Sequence, residues 1–453
     1  MRTKSSLVSL IAAGALAAAV VVTTPAVGAG HPPLTHAPGP ANAAGPREPN
    51  AHWVGTWAAM PQLTEPSNMP PAPFTQDDAV LVNATVRQTV HVSVGGKHIR
   101  LRISNAFGGA ALPITAVSVA LPAGGQAGTG AIQPGTTHPV TFQGRSSASV
   151  PVGAQAVSDP LDFPIQPDSN LTVTLYLADG QASTSITSHP GSRTTSYLLT
   201  GNHVKDANLA GAATADHWYF LSGVEVWSKA DTSAAVVLGD SLTDGRGSTT
   251  NGNDRWPDQL LKRLESRPGS ASVALLNQAA GGNRLLNDGL GPNGLARVDR
   301  DILAQSGVDW LLVFEGINDI GTADATKAAQ RQVAADVIAA YEQIVAMAHA
   351  QGIRVYGVTL TPMGGADYDD PDGYREAARQ TVNTWIRTSG RFDSVIDFDR
   401  AARDPQHPRQ LRPTFDVGDH LHLNPTGYQA LAEAIPTTLF RQQPLTPGFG
   451  YNG

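Results

Sequence analysis

The sequence predicts two successive architectures: an antiparallel, sandwich-like β region, then an α/β region built on a parallel sheet. Three observations carry this expectation. Between Trp53 and Trp227, apolar residues recur at every second position, the period of a strand with one buried face. After Ala234 the pattern changes to continuous apolar runs, as expected of strands covered on both faces. Amphipathic stretches with helical spacing separate those runs.

In the first region, Val90, Val92 and Val94 alternate, Gly95-Gly96 follows, and Ile99, Leu101 and Ile103 alternate again. Alternation on both sides of two glycines predicts a hairpin. The pattern returns at Val117, Val119 and Leu121, and from Leu171 to Leu177 ahead of Asp179-Gly180. Turn formers such as Pro134-Gly135 and Pro151-Val152-Gly153 fill the gaps. Short strands with frequent turns predict a β-sandwich over residues 51–230. Trp53, Trp57, Trp218 and Trp227 lie in this region, where aromatic side chains more often fill the core than offer faces to a sugar.

In the second region the apolar runs are Ala234–Leu238, Val273–Leu276, Trp310–Phe314 and Val355–Leu360. Trp256 to Leu264 and Ala328 to His349 have helical spacing between them, the latter through Val333, Val337, Ile338, Tyr341, Ile344 and Val345. Strands alternating with helices predict βαβ units in a doubly wound sheet over residues 231–442, with ligands at the carboxyl ends of the strands. The boundary falls near Lys229 to Ser233.

Composition narrows the chemistry. The chain has 453 residues, 41% of them hydrophobic, enough for a sizeable core and about two domains. Zero cysteines exclude a thiol nucleophile, a cysteine-ligated metal and a disulfide framework. A formal charge of −7 without a basic block argues against nucleic acid as a partner. Arg2 and Lys4 precede an apolar run from Leu7 to Val22 and the small residues Ala26-Val27-Gly28-Ala29. That is the layout of a secretory signal over residues 1–29, and its run is short of the ~20 residues that span a membrane. Its removal would move the charge from −7 to −9. An extracellular protein with no stable membrane insertion is expected. Residues 30–50, rich in Pro, Ala and Gly, read as a flexible leader, and 443–453 as a tail.

Chemistry-bearing residues gather where the apolar runs end. The first run leads into Gly239-Asp240-Ser241-Leu242-Thr243-Asp244-Gly245, which exposes a hydroxyl at the sheet edge beside helix-terminal amides. A helix cap fits the same residues. Asp240 and Asp244 suit hydrogen bonding within that loop. The second run leads to Gly281-Gly282-Asn283-Arg284, where glycines let backbone N–H groups approach a ligand or simply form a turn. The third ends in Glu315-Gly316-Ile317-Asn318-Asp319, placing an amide at the same rim. Near the carboxyl end stands Asp419-His420-Leu421-His422-Leu423-Asn424-Pro425. A serine nucleophile needs a base and an acid to orient it, and a spacing of three lets Asp419 fold back onto His422. A solvated turn, or a weak metal site from Asp419, His420 and His422, uses the same residues.

Together, Gly239-Asp240-Ser241-Leu242, the glycine of Gly281-Gly282-Asn283, Gly316-Ile317-Asn318-Asp319 and Asp419-x-x-His422 resemble the four ordered blocks of the GDSL, or SGNH, hydrolase family. The resemblance runs from about Ala234 to Leu439. It is strongest to the secreted branch of arylesterase and acetylxylan-esterase-like proteins with an N-terminal strand-rich region. It implies a three-layer α/β/α SGNH-type catalytic region, a jelly-roll-like region before it, and no metal or organic cofactor. By position it implies Ser241 as nucleophile, His422 as base and Asp419 as the residue orienting it. The Ser241 and Gly282 N–H groups and the Asn318 amide correspond to the oxyanion donors. Asn283 and Arg284 follow as candidate substrate contacts. Family members often carry proline directly after the histidine, whereas Leu423 stands here, so His420 and Asp416 are kept as outside candidates for base and acid. The expected function is hydrolysis of short acyl esters on carbohydrate or aryl alcohols. A lipase or lysophospholipase is the nearest alternative, and a carbohydrate-binding surface protein with an idle hydrolase fold the alternative from another class.

Overall fold

Val236, Val237 and Leu238 offer no polar side chain to either face, so a strand built from them must be covered on both sides. The strand Ser233–Gly239 is buried along its whole length. It lies inside a five-stranded sheet ordered Val273–Ala279, Ser233–Gly239, Val308–Phe314, Arg354–Val358, Ser394–Ile396, and every pairing is parallel. In chain order that is 2-1-3-4-5, so the connections reverse direction between the first and third strands. A crevice opens at such a switch point. Of the helices, Trp256–Glu265 packs on Pro425–Glu433 and Lys327–Ala350 on Tyr374–Thr388. The computed structural model describes residues 50–441; the expected signal segment 1–29, nearly all of the leader 30–50 and the tail 443–453 lie outside them.

Before this sheet the chain is antiparallel. One sheet joins Ala51–Ala58, Leu221–Lys229, Gly96–Ser104 and Leu161–Ile165, with Gln155–Val157 also on Gly96–Ser104. A six-stranded sheet is ordered Ala213–Ala215, Ser196–Thr200, Ala84–Val92, Ser169–Leu177, Ala116–Ala120, His138–Val140. A small third sheet joins Trp218–Tyr219, Thr187–His189 and Gln62–Leu63. Trp57 and Trp218 are core residues, meeting edge to face at 4.9 Å.

The hairpin expected around Gly95-Gly96 does not form. Ala84–Val92 belongs to the six-stranded sheet and Gly96–Ser104 to the other. Tight hairpin turns need positive φ at their first central residue, and neither glycine has it among the positive-φ residues. Instead Gly95 lies so close to another strand that a Cβ there would stand 2.5 Å from the Ile165 carbonyl oxygen. The glycines let the chain turn a corner between sheets.

The antiparallel strands and the parallel sheet share one hydrophobic core. Val273–Ala279 is an edge strand of the parallel sheet, and edge strands need cover for their unpaired backbone groups. Here the Ser93 hydroxyl accepts the Leu275 N–H at 3.1 Å, and its one proton is shared between the Thr56 carbonyl at 2.6 Å and the Leu275 carbonyl at 3.0 Å. Nearby, the Gly55 N–H donates to the Ser306 carbonyl at 2.9 Å.

Candidate active site

The first parallel strand stops at Gly239, and Asp240 caps a single helical turn, Ser241–Asp244, by accepting the Leu242 N–H at 2.9 Å. Gly245, in the left-handed region, ends the turn. Ser241 is thus held at the first helical position, 6% exposed. Its Oγ lies 2.8 Å from His422 Nε2. His422, 5% exposed, meets Asp419 Oδ2 through Nδ1 at 2.7 Å. The other Asp419 oxygen accepts the backbone N–H groups of His422 and Leu421 at 2.9 and 3.1 Å. A carboxylate at Nδ1 fixes the proton there and leaves Nε2 to accept from the serine hydroxyl.

Electrostatics match this arrangement. Asp419 pays some burial, yet the His422 and Leu421 N–H groups and the imidazole hold its carboxyl down to about 2. Burial lowers the His422 pKa below its ordinary 6.5; repulsion from Arg246 and Arg193 adds to this, and Asp419 opposes it.

The second and third strands bring donors to the same place. Gly282 has φ +71°, and a Cβ there would stand 2.4 Å from Leu290 Cδ1, so only glycine fits without displacement. The preceding Gly281 N–H donates to Asp244 Oδ2 at 3.0 Å. The Asn318 amide donates to the Asn283 carbonyl at 2.8 Å and accepts the Tyr368 hydroxyl at 2.9 Å. Those two bonds set which way the amide faces, and leave its second proton for the cleft it lines. Asp319 accepts the Leu285 and Leu286 N–H groups at 2.9 and 3.0 Å, tying the Gly282 loop to the third block. Burial pushes the Asp319 carboxyl up to about 6 in spite of these donors.

Ser241, Gly282, Asn318 and His422 open onto one cleft of about 450 Å³. Other predicted residues stand elsewhere. The buried Asn283 spends its amide on the Leu290 and Pro292 carbonyls, at 3.1 and 2.8 Å, and on Arg297. Arg284 donates to the Asp288 carbonyl. Neither lines the cleft, because both are consumed in shaping the loop behind Gly282. His420 pairs with Asp416 at 2.6 Å, so these outside candidates engage each other instead of Ser241. Glu315 is fully buried 3.6 Å from Arg297, and burial raises its pKa well above the ordinary value. Among the described residues, no group of three or more His, Asp or Glu converges in a metal-binding arrangement.

Several cleft residues had no local signal. Gln62, Glu65, Asn68, Pro190, Gly191 and Arg193 line it from the strand-rich half, and Arg246 and Tyr368 from the other. His189 lies just behind. Its Nε2 is 2.9 Å from Asp244 Oδ1, its Nδ1 donates to the Met60 carbonyl at 3.0 Å, and its ring stacks on Trp218. Gly191 follows at very close range: a Cβ would stand 1.7 Å from Asp244 Oδ2. Asp244 therefore joins the Ser241–Asp244 turn, the Gly281 loop and the strand-rich half.

Residues 237–430 match the GDSL-like lipase/acylhydrolase family model. That stretch of the second half is similar to GDSL-like lipases and acylhydrolases. The match supports a carboxylic ester hydrolase. No curated protein matches the chain. Among solved structures, the chain is similar to an acetylxylan esterase from Geobacillus stearothermophilus (18% identity, 45% of this chain and 91% of the other, TM-score 0.34). It is also similar to a lipolytic protein of the G-D-S-L family from Desulfitobacterium hafniense DCB-2 (16%, 45% and 97%, 0.34). A third is a GDSL-like lipase from Bacteroides thetaiotaomicron VPI-5482 (15%, 44% and 84%, 0.30).

Proposed function

We propose that this hydrolase is a secreted serine esterase for short acyl groups, acetyl foremost, on carbohydrate or aryl alcohols. The observation that carries the reading is the unbroken relay from Ser241 through His422 to Asp419, at 2.8 and 2.7 Å, facing Gly282 and Asn318 across one cleft. In this reading His422 Nε2 takes the Ser241 proton as Oγ attacks the ester carbonyl. The Ser241 and Gly282 N–H groups and the Asn318 amide receive the oxyanion. The tetrahedral adduct collapses to an acyl-enzyme as the imidazolium gives its proton to the departing alcohol. Water, deprotonated by His422, then releases the acid and restores the serine.

The preference for short acyl groups rests on the cleft wall. Its apolar side chains are Pro190, Leu290, Leu421 and the Tyr368 ring, set among polar groups. A long acyl chain would find little cover for methylenes worth ~0.8 kcal/mol each when buried. Secretion rests on the amino-terminal sequence. We read residues 51–230 as a sandwich-like, jelly-roll-like accessory region and 231–442 as the catalytic one. The test is hydrolysis of 4-nitrophenyl esters, acetate through palmitate, by the purified protein and by Ser241→Ala. Turnover confined to acetate and butyrate and lost in the variant is expected. A long-chain optimum would move the reading to a lipase, and turnover by neither protein would leave the binding-protein reading.

A further inference from the structure

Two guanidinium groups stand in the cleft without an acid partner. Arg193 and Arg246 both line it, with Ser241 and His422, and both lie close enough to repel a proton from His422. Neither forms an ion pair among the described residues, and Arg193 Nε is buried with no hydrogen-bond partner. A buried donor left unpaired is costly, so a ligand that accepts from it is favoured. The carboxylates of the cleft are already engaged. Glu65 accepts Asn68 Nδ2 at 2.9 Å and the Gln62 amide, and Asp244 accepts Gly281 N–H and meets His189.

The backbone beneath Arg193 is built to hold it there. Its φ is +51°, a conformation that non-glycine residues adopt rarely and at a cost. Ser192 Oγ donates to the Thr194 carbonyl at 2.7 Å and accepts the Thr194 N–H at 3.1 Å, bridging over Arg193. The Asn251 N–H donates to the Arg193 carbonyl at 2.9 Å. On the other side, the Tyr428 hydroxyl donates to the Arg246 carbonyl at 2.6 Å. A strained residue, clamped on both flanks and presenting an unpaired cation toward a nucleophile, has the features of a ligand contact.

We propose that Arg193 and Arg246 form an anion subsite, so that the preferred esters carry a carboxylate or phosphate beside the scissile bond. The inference rests on the esterase reading and deepens it: the strand-rich half supplies one arm of the subsite and thereby takes part in substrate choice.

The experiment compares kcat/KM of the full-length protein for matched anionic and neutral esters. Mono-4-nitrophenyl adipate is set against its methyl ester, an acetylated methyl glucuronoside against the corresponding glucoside, and acetylglycerol phosphate against acetylglycerol. The anionic member of at least one pair should be favoured about tenfold or more, and added salt should erode the advantage. The pair that responds tells an acyl-side carboxylate from a sugar carboxylate or a phosphate. In Arg193→Gln and in Arg246→Gln the anionic-to-neutral ratio should fall about tenfold, mainly through KM. Arg193→Lys should recover part of it, which a structural role would not predict. Arg246 is exposed, so its variant keeps the test open if Arg193→Gln misfolds. No preference in any pair, or ratios unmoved by the substitutions, overturns the subsite. Failure of the esterase reading shows differently: neutral esters would then not be turned over in a Ser241-dependent way.

Discussion

Removing His189 should damage the Gly281–Gly282 loop from behind the cleft. Its ring nitrogens are both committed, to the Met60 carbonyl and to Asp244, and both partners of the His189–Asp244 pair are nearly inaccessible, with side chains 4% and 2% exposed. In His189→Ala, Asp244 keeps the Gly281 N–H but loses its other partner, and breaking a buried pair from one side costs about 3–5 kcal/mol. An unfolding entropy of about 2.1 cal/mol/K per residue gives ~0.8 kcal/mol/K for a body of this size, so the thermal midpoint should fall by about 4–6 °C. Because Asp244 also holds Gly281, an Asp244 free to shift on its His189 side loosens the Gly281–Gly282 loop, and kcat should fall by about 10- to 100-fold, up to the loss of one oxyanion donor. Calorimetry and 4-nitrophenyl acetate hydrolysis read the two effects. Asp244→Asn provides the check on the reasoning: its amide donates to Nε2 and accepts from Gly281, so most of the midpoint should return. An unchanged midpoint and kcat in His189→Ala, or an Asp244→Asn variant as damaged as that one, would refute the argument.

Asn318→Ala should lower kcat by about 10²–10³ with little change in KM, whereas Tyr368→Phe, which only frees the amide to turn, should cost about tenfold; steady-state kinetics on one short ester separates them. The base must be neutral to work, and the His422 pKa lies below 6.5. The kcat/KM profile should therefore rise through an apparent pKa under 6.5 and be level by about pH 7; a midpoint above that contradicts the assignment of the base. Burial, with Asp319 and Asp244 nearby, raises the Asp240 carboxyl to about 7, against the Leu242 N–H and Arg297. The unfolded chain ionises first, so the stability tied to this group is complete below about pH 4 and lost as pH rises through 7. Asp240→Asn keeps an oxygen for the Leu242 N–H and should unfold at a higher temperature than the parent above pH 7, an advantage that shrinks towards pH 4.

The parallel sheet was legible because its strands are continuous apolar runs, and the long helix because Val333 to Val345 keep one spacing. Ser233–Gly239, Val273–Ala279, Val308–Phe314 and Lys327–Ala350 fall where the pattern puts them. The fifth strand, Ser394–Ile396, is three residues long and half exposed, too short for any period to register. The Gly95-Gly96 corner misled because a local signal says that the chain turns, while long-range packing decides towards which sheet. The serine, the glycine, the asparagine and the Asp-His pair each follow an element that sequence can locate, so the structure's gathering of them at the switch point was foreseeable. Asn283 was misjudged as a substrate contact because its partners, Arg297 and two loop carbonyls, become neighbours only on folding. His189 and Arg193 were invisible for the same reason. They come from the end of the strand Thr187–His189 and the loop after it, more than forty residues before Ser241, through contacts that no spacing encodes.

The Ser93 hydroxyl that closes the backbone of Leu275 also bears on how the chain is made. Parallel sheets form slowly, since each pairing waits for a distant segment, and an unpaired edge can recruit another chain meanwhile. Ser93, and every antiparallel strand up to Lys229, leaves the ribosome before Val273. When the edge strand emerges, its cover has already been synthesised and lies in the same chain, at an effective concentration no intermolecular competitor can match.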